Sequence, residues 1–334
     1  MTHHDSVPVL DQCLVEAAAT AAAAAPSILN CQPWRFHAAA QRIDVFAVPE
    51  RAPSLLDAEG REVFLSLGAA VLNLRLSLGA AGVATSVELV PSTLDLRLAA
   101  TVRVVGRTTL SADEQAAYEA IPGRRTSRLP FTDELVPYEE FDQLQEAAAA
   151  EGAHLEATTG LHKQVVTGAI READRSQRDD QRLVDDASLW TVQRGEKEGV
   201  GIPPEMLGPT PSDPSALVRD LAFGQRVGDR PTADFEKSAL VAVLLTSGDE
   251  RADWVRGGMA LERVLLTATA RGLQVGLLSQ VTETSDLRWL VRDPMSRWKH
   301  PQIVLRLGYG ATPPATPRLP LHDVLEVDPA LPAG

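Results

Sequence analysis

The chain has 334 residues, a formal net charge of −13 and a pI near 5.0. That length is enough to bury a core without a disulfide or a metal. The acidic balance argues against a nucleic-acid or anionic-membrane partner, because such surfaces attract clustered positive charge. Cys13 and Cys31 show no metal-ligand spacing, and the sequence shows no leader segment or membrane-length apolar run. We therefore expect a soluble, cytoplasmic protein without a metal site.

The secondary structure predicted in chain order alternates helices with short strands. The alanine-rich residues 11–25 favour a helix, which Pro26 ends. A strand follows, and then a long apolar helix that Gly82 terminates. The later strands are short apolar runs of the same kind. The predicted elements after Pro26 are a helix at 61–81 and strands at 42–48, 98–105, 275–278 and 302–307.

Residues 61–83 resemble residues 251–273 when the two stretches are aligned without a gap. Two buried, alanine-rich helices can share residues by chance, but paired glycines at the same spacing favour an internal duplication. We therefore expect two related halves, 1–110 and 111–334. The identities are Arg61/Arg251, Gly68/Gly258, Ala70/Ala260, Leu76/Leu266, Ala80/Ala270 and Gly82/Gly272.

The second half carries an additional polar stretch at residues 176–231, with many charges, glycines and prolines. The first half has no stretch of this length before its long helix. A long insertion in a compact domain is either a functional lid or a disordered loop. A lid is favoured here, because apolar residues such as Trp190, Leu221 and Phe223 must pack on something.

Two short segments suit a phosphorylated ring ligand. Residues 124–128 read Arg-Arg-Thr-Ser-Arg, and guanidinium forks beside hydroxyl groups suit a terminal monophosphate. The alternative is a solvated basic turn. Residues 26–34 read Pro-Ser-Ile-Leu-Asn-Cys-Gln-Pro-Trp, and their short polar side chains suit the edges of a ring. Turn chemistry is the alternative for Ser27 and Asn30.

Together the two segments resemble the flavin-binding segments of the nitroreductase family, which the family's two subunits contribute to one site. The likeness is closest to the Acg branch, typified by two fused halves. It implies a nitroreductase-like α+β three-layer sandwich, one FMN per chain, NAD(P)H as transient electron donor, and a monomer that mimics a homodimer. It departs from the family pattern at Thr126, where serine is usual, and at Thr316, where lysine is frequent.

The resemblance also assigns residues to the flavin site. It places the phosphate contacts on Arg124, Thr126, Arg128 and Arg318, and it places residues 278–280 beside the ring. The full set of expected cofactor-binding residues is Pro26, Ser27, Asn30, Gln32, Arg124, Arg125, Thr126, Arg128, Leu278, Ser279, Gln280 and Arg318.

Three hypotheses about function remain open. The first is an FMN-dependent oxidoreductase that passes electrons from NAD(P)H to a small acceptor such as a nitroaromatic or a quinone. The second is a non-catalytic flavin-binding protein for storage or stress protection, whose lid closes the site. The third is a protein that has lost flavin. No P-loop, zinc-protease or nucleophile-elbow motif occurs, and flavin carries its own redox chemistry, so we assign no catalytic side chain.

Overall fold

The structure is a computed structural model that describes residues 7–191, 199–294 and 298–332. Its α-helices are α1 Gln12–Ala23, α2 Arg61–Ala80, α3 Ala112–Ala120, α4 Tyr138–Ala150, α5 Gly160–Asp179, α6 Gln181–Ser188, α7 Arg251–Ala270, α8 Gln280–Glu283 and α9 Ser285–Arg288. Its strands are β1 Trp34–Ala39, β2 Arg42–Ala47, β3 Val83–Leu89, β4 Leu98–Arg107, β5 His154–Ala157, β6 Thr210–Pro211, β7 Thr232–Ala233, β8 Leu240–Thr246, β9 Gln274–Leu277, β10 His300–Gly308 and β11 Leu325–Val327. These bounds agree with the predicted helices and strands to within a few residues.

Two mainly antiparallel sheets carry the same strand order. The first sheet runs β11–β1–β2–β4–β3, and the second runs β5–β8–β10–β9. If β5, β8, β9 and β10 are matched with β1, β2, β3 and β4, the two orders coincide. In both halves an α-helix leads into the first strand, α1 before β1 and α4 before β5, and a 20-residue helix follows the second strand. The strand β11 is additional: it comes from the C-terminal part of the chain and pairs parallel with β1 of the first half.

The two 20-residue helices, α2 and α7, pack against each other in the centre of the protein. A Cβ atom on Gly68 would overlap the carbonyl oxygen of Val255, and one on Gly258 would overlap the carbonyl oxygen of Leu65. The sequence offset between the repeats relates Gly68 to Gly258 and Leu65 to Val255. The contact is therefore reciprocal, as at the two-fold axis of a homodimer. The predicted α+β sandwich of two related halves is confirmed.

The two halves differ most between their first and second strands. A tight turn joins β1 to β2, whereas the described residues between β5 and β8 include α5, α6 and the short strands β6 and β7. The predicted insertion at 176–231 therefore lies within a longer one, since α5 begins at Gly160 and has no counterpart in the first half.

The helix α2 is long and apolar enough to span a membrane, with a mean hydropathy of 1.6, which the sequence analysis did not expect. In the structure 89% of that stretch is buried inside the protein. Packing against α7 and the first sheet explains its composition, so we interpret α2 as a core helix.

Candidate functional site

One cavity collects most of the residues that the sequence assigns to cofactor binding. Both halves contribute to its lining, and the insertion covers part of it. Gln32 and Gln280 do not line it. The expected residues that do are Pro26, Ser27, Asn30, Arg124, Arg125, Thr126, Arg128, Leu278, Ser279 and Arg318.

The loop after α1 has a strained backbone. Leu29, Asn30 and Gln32 have positive φ angles of 44°, 55° and 51°, which side chains other than glycine adopt rarely. Asn30 Nδ2 donates to the carbonyl oxygens of Gly201 at 2.8 Å and Pro317 at 3.0 Å, so this amide supports the fold of the site.

Gln32 serves the same supporting purpose. Its Nε2 donates to the carbonyl oxygen of Gly199 at 2.5 Å, and its Oε1 accepts from the Leu319 N–H at 2.9 Å. Gln32 therefore ties the insertion and the C-terminal segment to the loop after α1, instead of lining the cavity as expected. Ser27 Oγ accepts from the Gln32 N–H at 3.0 Å, so it already has one partner.

The arginine segment lies directly against β9. The Ser127 N–H donates to the carbonyl oxygen of Val275 at 2.8 Å. Gly276 permits this approach, since a Cβ there would come within 3.1 Å of the Ser127 carbonyl oxygen. The arginines of this segment were expected from the sequence. Gly276, whose missing side chain leaves room for the segment, was not.

Arg128 and Arg124 differ in how well they are paired. Arg128 lines the cavity, and no hydrogen bond or ion pair to its guanidinium group occurs among the described residues. Burial, and then the charge of Arg219, lower its pKa to about 10, so it stays cationic. Arg124 lies 3.4 Å from Glu262, and its Nε forms no hydrogen bond within the described part of the chain. The segment thus offers positive charge that the protein itself does not fully neutralise.

Arg318 is used differently from the expectation. Its Nε donates to the carbonyl oxygen of Ala23 at 2.9 Å, and its Nη2 donates to those of Ala24 at 2.9 Å and Ala25 at 3.2 Å. Its Nη1 donates to Asn30 Oδ1 at 2.9 Å and to Thr316 Oγ1 at 2.7 Å.

All five donors of Arg318 are therefore engaged. The residue binds the carbonyl groups at the end of α1 that have no partner within the helix, and the helix dipole favours a cation there. It lines the cavity, but a phosphate could bind to it only by displacing these partners. The expected direct phosphate contact is thus not available in this conformation.

The segment 278–280 also departs in part from the expectation. The Leu278 N–H donates to the carbonyl oxygen of Val304 at 2.9 Å, so it cannot also bind a ring. Ser279 Oγ accepts from Arg219. Gln280 is buried behind the cavity, where its carbonyl oxygen accepts from Gln177 at 3.4 Å.

The insertion covers the cavity and crosses the site at two glycines. A Cβ on Gly208 would come within 2.7 Å of the Arg128 carbonyl oxygen, and one on Gly199 within 2.8 Å of the Arg318 carbonyl oxygen. Both glycines have positive φ angles, near 80°. The insertion therefore lies in direct backbone contact with both arginine-bearing segments.

Apolar packing and one ion pair hold the insertion in place. Arg219 pairs with Glu283 through two contacts, one of which joins Nη2 to Oε2 at 2.7 Å. The insertion and the loop after α1 share a cluster of apolar side chains. As the composition predicts, Trp190, Leu207, Leu221 and Phe223 belong to it, together with Ile28, Leu29 and Cys31.

Buried acidic residues were missed by the sequence analysis. Burial raises the pKa of Glu62 to about 8, although the neighbouring Arg61 lowers it, and Glu62 lines the cavity. Burial also raises the pKa of Glu262 to about 7. A charged pair inside an otherwise apolar run is the signal that could have identified Glu262, which stands beside Arg263 in the run Met259 to Leu266 of α7.

Comparison with known proteins agrees with the geometry. The Mycobacterium tuberculosis protein named "Putative NAD(P)H nitroreductase Rv3131" is 31% identical over 314 residues, which cover 92% of this chain and 89% of that protein. "Putative NAD(P)H nitroreductase acg" of the same organism is 29% identical over 322 residues, covering 94% and 96%. No family model matches the chain.

Solved structures show a weaker similarity. The FMN- and NADPH-dependent nitroreductase NfnB from Sphingopyxis sp. strain HMH aligns with 65% of this chain and 98% of its own, at 17% identity and a TM-score of 0.40. The FMN-dependent NfnB from Mycobacterium smegmatis aligns with 64% and 97%, at 16% identity and a TM-score of 0.40.

The two fused halves and the similarity to full-length relatives define the class of protein. The chain belongs to the nitroreductase-like family. Within that family it falls in the Acg branch, as the arginine segment and the loop after α1 predict.

Proposed function

We propose that this protein is an FMN-dependent NAD(P)H oxidoreductase that reduces a small acceptor such as a nitroaromatic or a quinone. The observation that carries the proposal is the unpaired guanidinium group of Arg128, which faces a cavity lined by both halves. An unpaired cation in the wall of a partly enclosed cavity indicates an anionic ligand, because removing a charge from water without a partner is costly. The names of the relatives support a nicotinamide-dependent reductase.

The residues present fit a flavin monophosphate. Arg128, Arg124 and the Thr126 hydroxyl would hold the phosphate, since they offer charge-assisted donors without complete partners of their own. The backbone of residues 276–279 and the loop at 26–30 would border the ring. Bound FMN would supply the two-electron chemistry between the nicotinamide and the acceptor.

The protein's own contribution is positioning and exclusion of water. Asn30, Gln32 and Arg318 fix the loop after α1 and the C-terminal segment around the cavity. The insertion covers part of the cavity and excludes water from that side. Glu62, with a pKa of about 8, is mostly protonated at neutral pH, so it adds little negative charge beside an anionic ligand.

The first experiment is a visible spectrum of the purified protein, followed by NADH or NADPH addition without oxygen. The expected result is a flavin band at about 450 nm that bleaches within seconds. A protein that is colourless and cannot be reconstituted with FMN would contradict the proposal.

A second candidate is a flavin-binding protein with little turnover. The two backbone crossings at Gly199 and Gly208 and the Arg219–Glu283 pair favour it, because they hold the insertion closed over the cavity. A yellow protein whose flavin band persists for hours under NADH and NADPH would select this alternative. Turnover with an added nitroaromatic or quinone would reject it.

We also propose that the protein is a monomer. The α2–α7 contact within one chain supplies the reciprocal helix interface that a homodimer would otherwise provide. Light scattering coupled to gel filtration should give a mass near 35.9 kDa.

A further inference from the structure

Glu262 lies on α7 directly behind the arginine segment. Its side chain is fully buried, and its Oε1 lies 3.4 Å from Arg124 Nε. Neither carboxylate oxygen accepts a hydrogen bond of normal geometry from the described residues. Such a poorly compensated buried carboxyl group calls for an explanation.

Three groups from three segments act on this carboxyl. Arg124 comes from the segment 124–128, Asn73 from α2, and Arg318 from the C-terminal segment. All three lower its pKa, but burial outweighs them, and the pKa rises to about 7. The Asn73 Nδ2 donates to the carbonyl oxygen of Ala21 at 3.1 Å and makes no hydrogen bond of normal geometry to Glu262.

A phosphate held by Arg124 would share this arginine with Glu262. An ionised Glu262 would then face a second anion across one guanidinium group, and like charges in a poorly solvated site repel strongly. A protonated Glu262 removes this repulsion and leaves the positive charge of Arg124 to the phosphate.

We propose that Glu262 is a positioning residue for the FMN phosphate, and that FMN binding is coupled to the uptake of one proton by its carboxyl group. This inference rests on the proposed function, because it requires a phosphate at Arg124. The proton comes from solvent and leaves again when FMN dissociates.

The coupling makes FMN affinity depend on pH in a defined direction. Above the pKa of Glu262 the free protein must gain a proton on binding, so the dissociation constant for FMN should rise with pH. The limit for one proton is about tenfold per pH unit. The window from about pH 7 to 9 avoids the second ionisation of the phosphate, near pH 6. Riboflavin has no phosphate, so its affinity should stay constant there.

The primary experiment is calorimetry on the wild-type protein at pH 8. FMN and riboflavin are each titrated in two buffers of different ionisation enthalpy, which counts the protons taken up. We expect close to one proton for FMN and close to none for riboflavin. This count does not depend on any variant folding.

A variant then assigns the proton to Glu262. Glu262→Gln should abolish the uptake, flatten the pH profile and bind FMN more tightly than the wild type at pH 9. The matched control is Glu151→Gln. It removes a buried carboxylate at the end of α4, which pairs with Arg75 of α2 and Arg263 of α7. It should keep the wild-type uptake and profile.

The outcomes separate this inference from the proposed function. Proton uptake that persists in Glu262→Gln, or FMN binding without uptake in the wild type, overturns the inference and leaves the FMN proposal intact. A Glu262→Gln variant that binds FMN more weakly at every pH also overturns it, since Glu262 would then act as an anion. A protein that binds neither flavin overturns both.

Discussion

The two halves of the chain place related residues at equivalent points of the α2–α7 pair, and those points have diverged in charge. Asn73 of α2 and Arg263 of α7 occupy matching positions in the repeat. Asn73 reaches the last turn of α1, whereas Arg263 pairs with Glu151 at the end of α4. Arg75 pairs with the same carboxylate at 2.7 Å. A carboxylate at the end of α4 therefore neutralises two arginines, one from each half of the chain.

The arginine segment 124–128 has the opposite arrangement. Arg128 has no ion-pair partner among the described residues, and Arg124 has only a distant one in Glu262. The same scaffold thus gives an internally neutralised structural cluster at one end and an open cationic cavity at the other. The comparison teaches that buried arginines are open to an anionic ligand only where no carboxylate of the protein already pairs with them.

The largest expected effect is on the contact between α2 and α7, which joins the two halves. Gly258→Ala should destabilise the fold by more than about 4 kcal/mol, because the new Cβ overlaps a backbone carbonyl that cannot move aside easily. Urea denaturation measures the loss. The control is Gly168→Ala, exposed on α5 with no atom within 4 Å of the new Cβ, which should be neutral or slightly stabilising. Equal stability of the two variants would contradict the reciprocal helix contact.

Removing an arginine should have opposite consequences at the two ends. Arg263→Ala should cost about 3 kcal/mol of stability, because the buried Glu151 loses the more buried of its two partners. FMN affinity should not change once the protein is folded. Denaturation and flavin titration of the same preparation test both statements. A weakened flavin affinity would show that the cluster of Glu151, Arg75 and Arg263 is not purely structural.

Arg128→Ala should show the reverse pattern. FMN affinity should fall by about 10- to 100-fold, the value of one or two charge-assisted hydrogen bonds, while stability changes little. Quenching of flavin fluorescence gives the affinity, and riboflavin affinity should be unaffected. An unchanged FMN dissociation constant would remove Arg128 from the phosphate site.

The insertion can be loosened without replacing a charged residue of either cluster. Gly208→Ala places a Cβ within 2.7 Å of the Arg128 carbonyl oxygen, so the insertion should lift at this point. We expect several-fold faster proteolysis between residues 199 and 231, and faster reduction of the flavin if closure limits access. Gly228→Ala has a similarly positive φ but open space around it, so it should have a smaller effect. Equal proteolysis of the two variants would contradict the crossing.

The last expected effect is spread over several pH units and concerns the pH dependence of stability. Burial raises the pKa of Glu62 to about 8, so the folded state binds more protons than the unfolded state at neutral pH. The free energy of unfolding then falls as pH rises from about 5 to 8, by at most about 1.4 kcal/mol per pH unit for one group. Glu62→Gln should flatten this slope, whereas Glu139→Gln, exposed on α4, should not. Parallel curves for all three proteins would contradict the prediction.

The fold was largely predictable from local patterns. The glycines at 68 and 258 and the identical spans of α2 and α7 leave a repeat that is visible without a structure. The convergence of the loop after α1 with the arginine segment followed from their resemblance to one composite site. Both rest on residue types that a backbone position or a ligand requires, and such requirements mark the sequence.

The site's internal pairing could not be predicted in the same way. Arg318 donates to carbonyl groups of α1, which almost any residues could supply, so no pattern in the sequence marks these partners. The same holds for Gln32 and for the N–H of Leu278. Such contacts join backbone groups far apart in the chain, and only the folded geometry identifies them.

The pairing of β11 with β1 has a consequence for synthesis of the protein. Phe36 has Leu325 as its neighbour, so the edge of the first sheet stays open until residue 325 has left the ribosome. Arg318, which caps α1, arrives with the same segment. Such long-range closure slows folding and leaves an unpaired strand edge exposed in the meantime. Cofactor loading is therefore expected to follow translation rather than accompany it, and the nascent first half is the stage at which this protein most needs a chaperone.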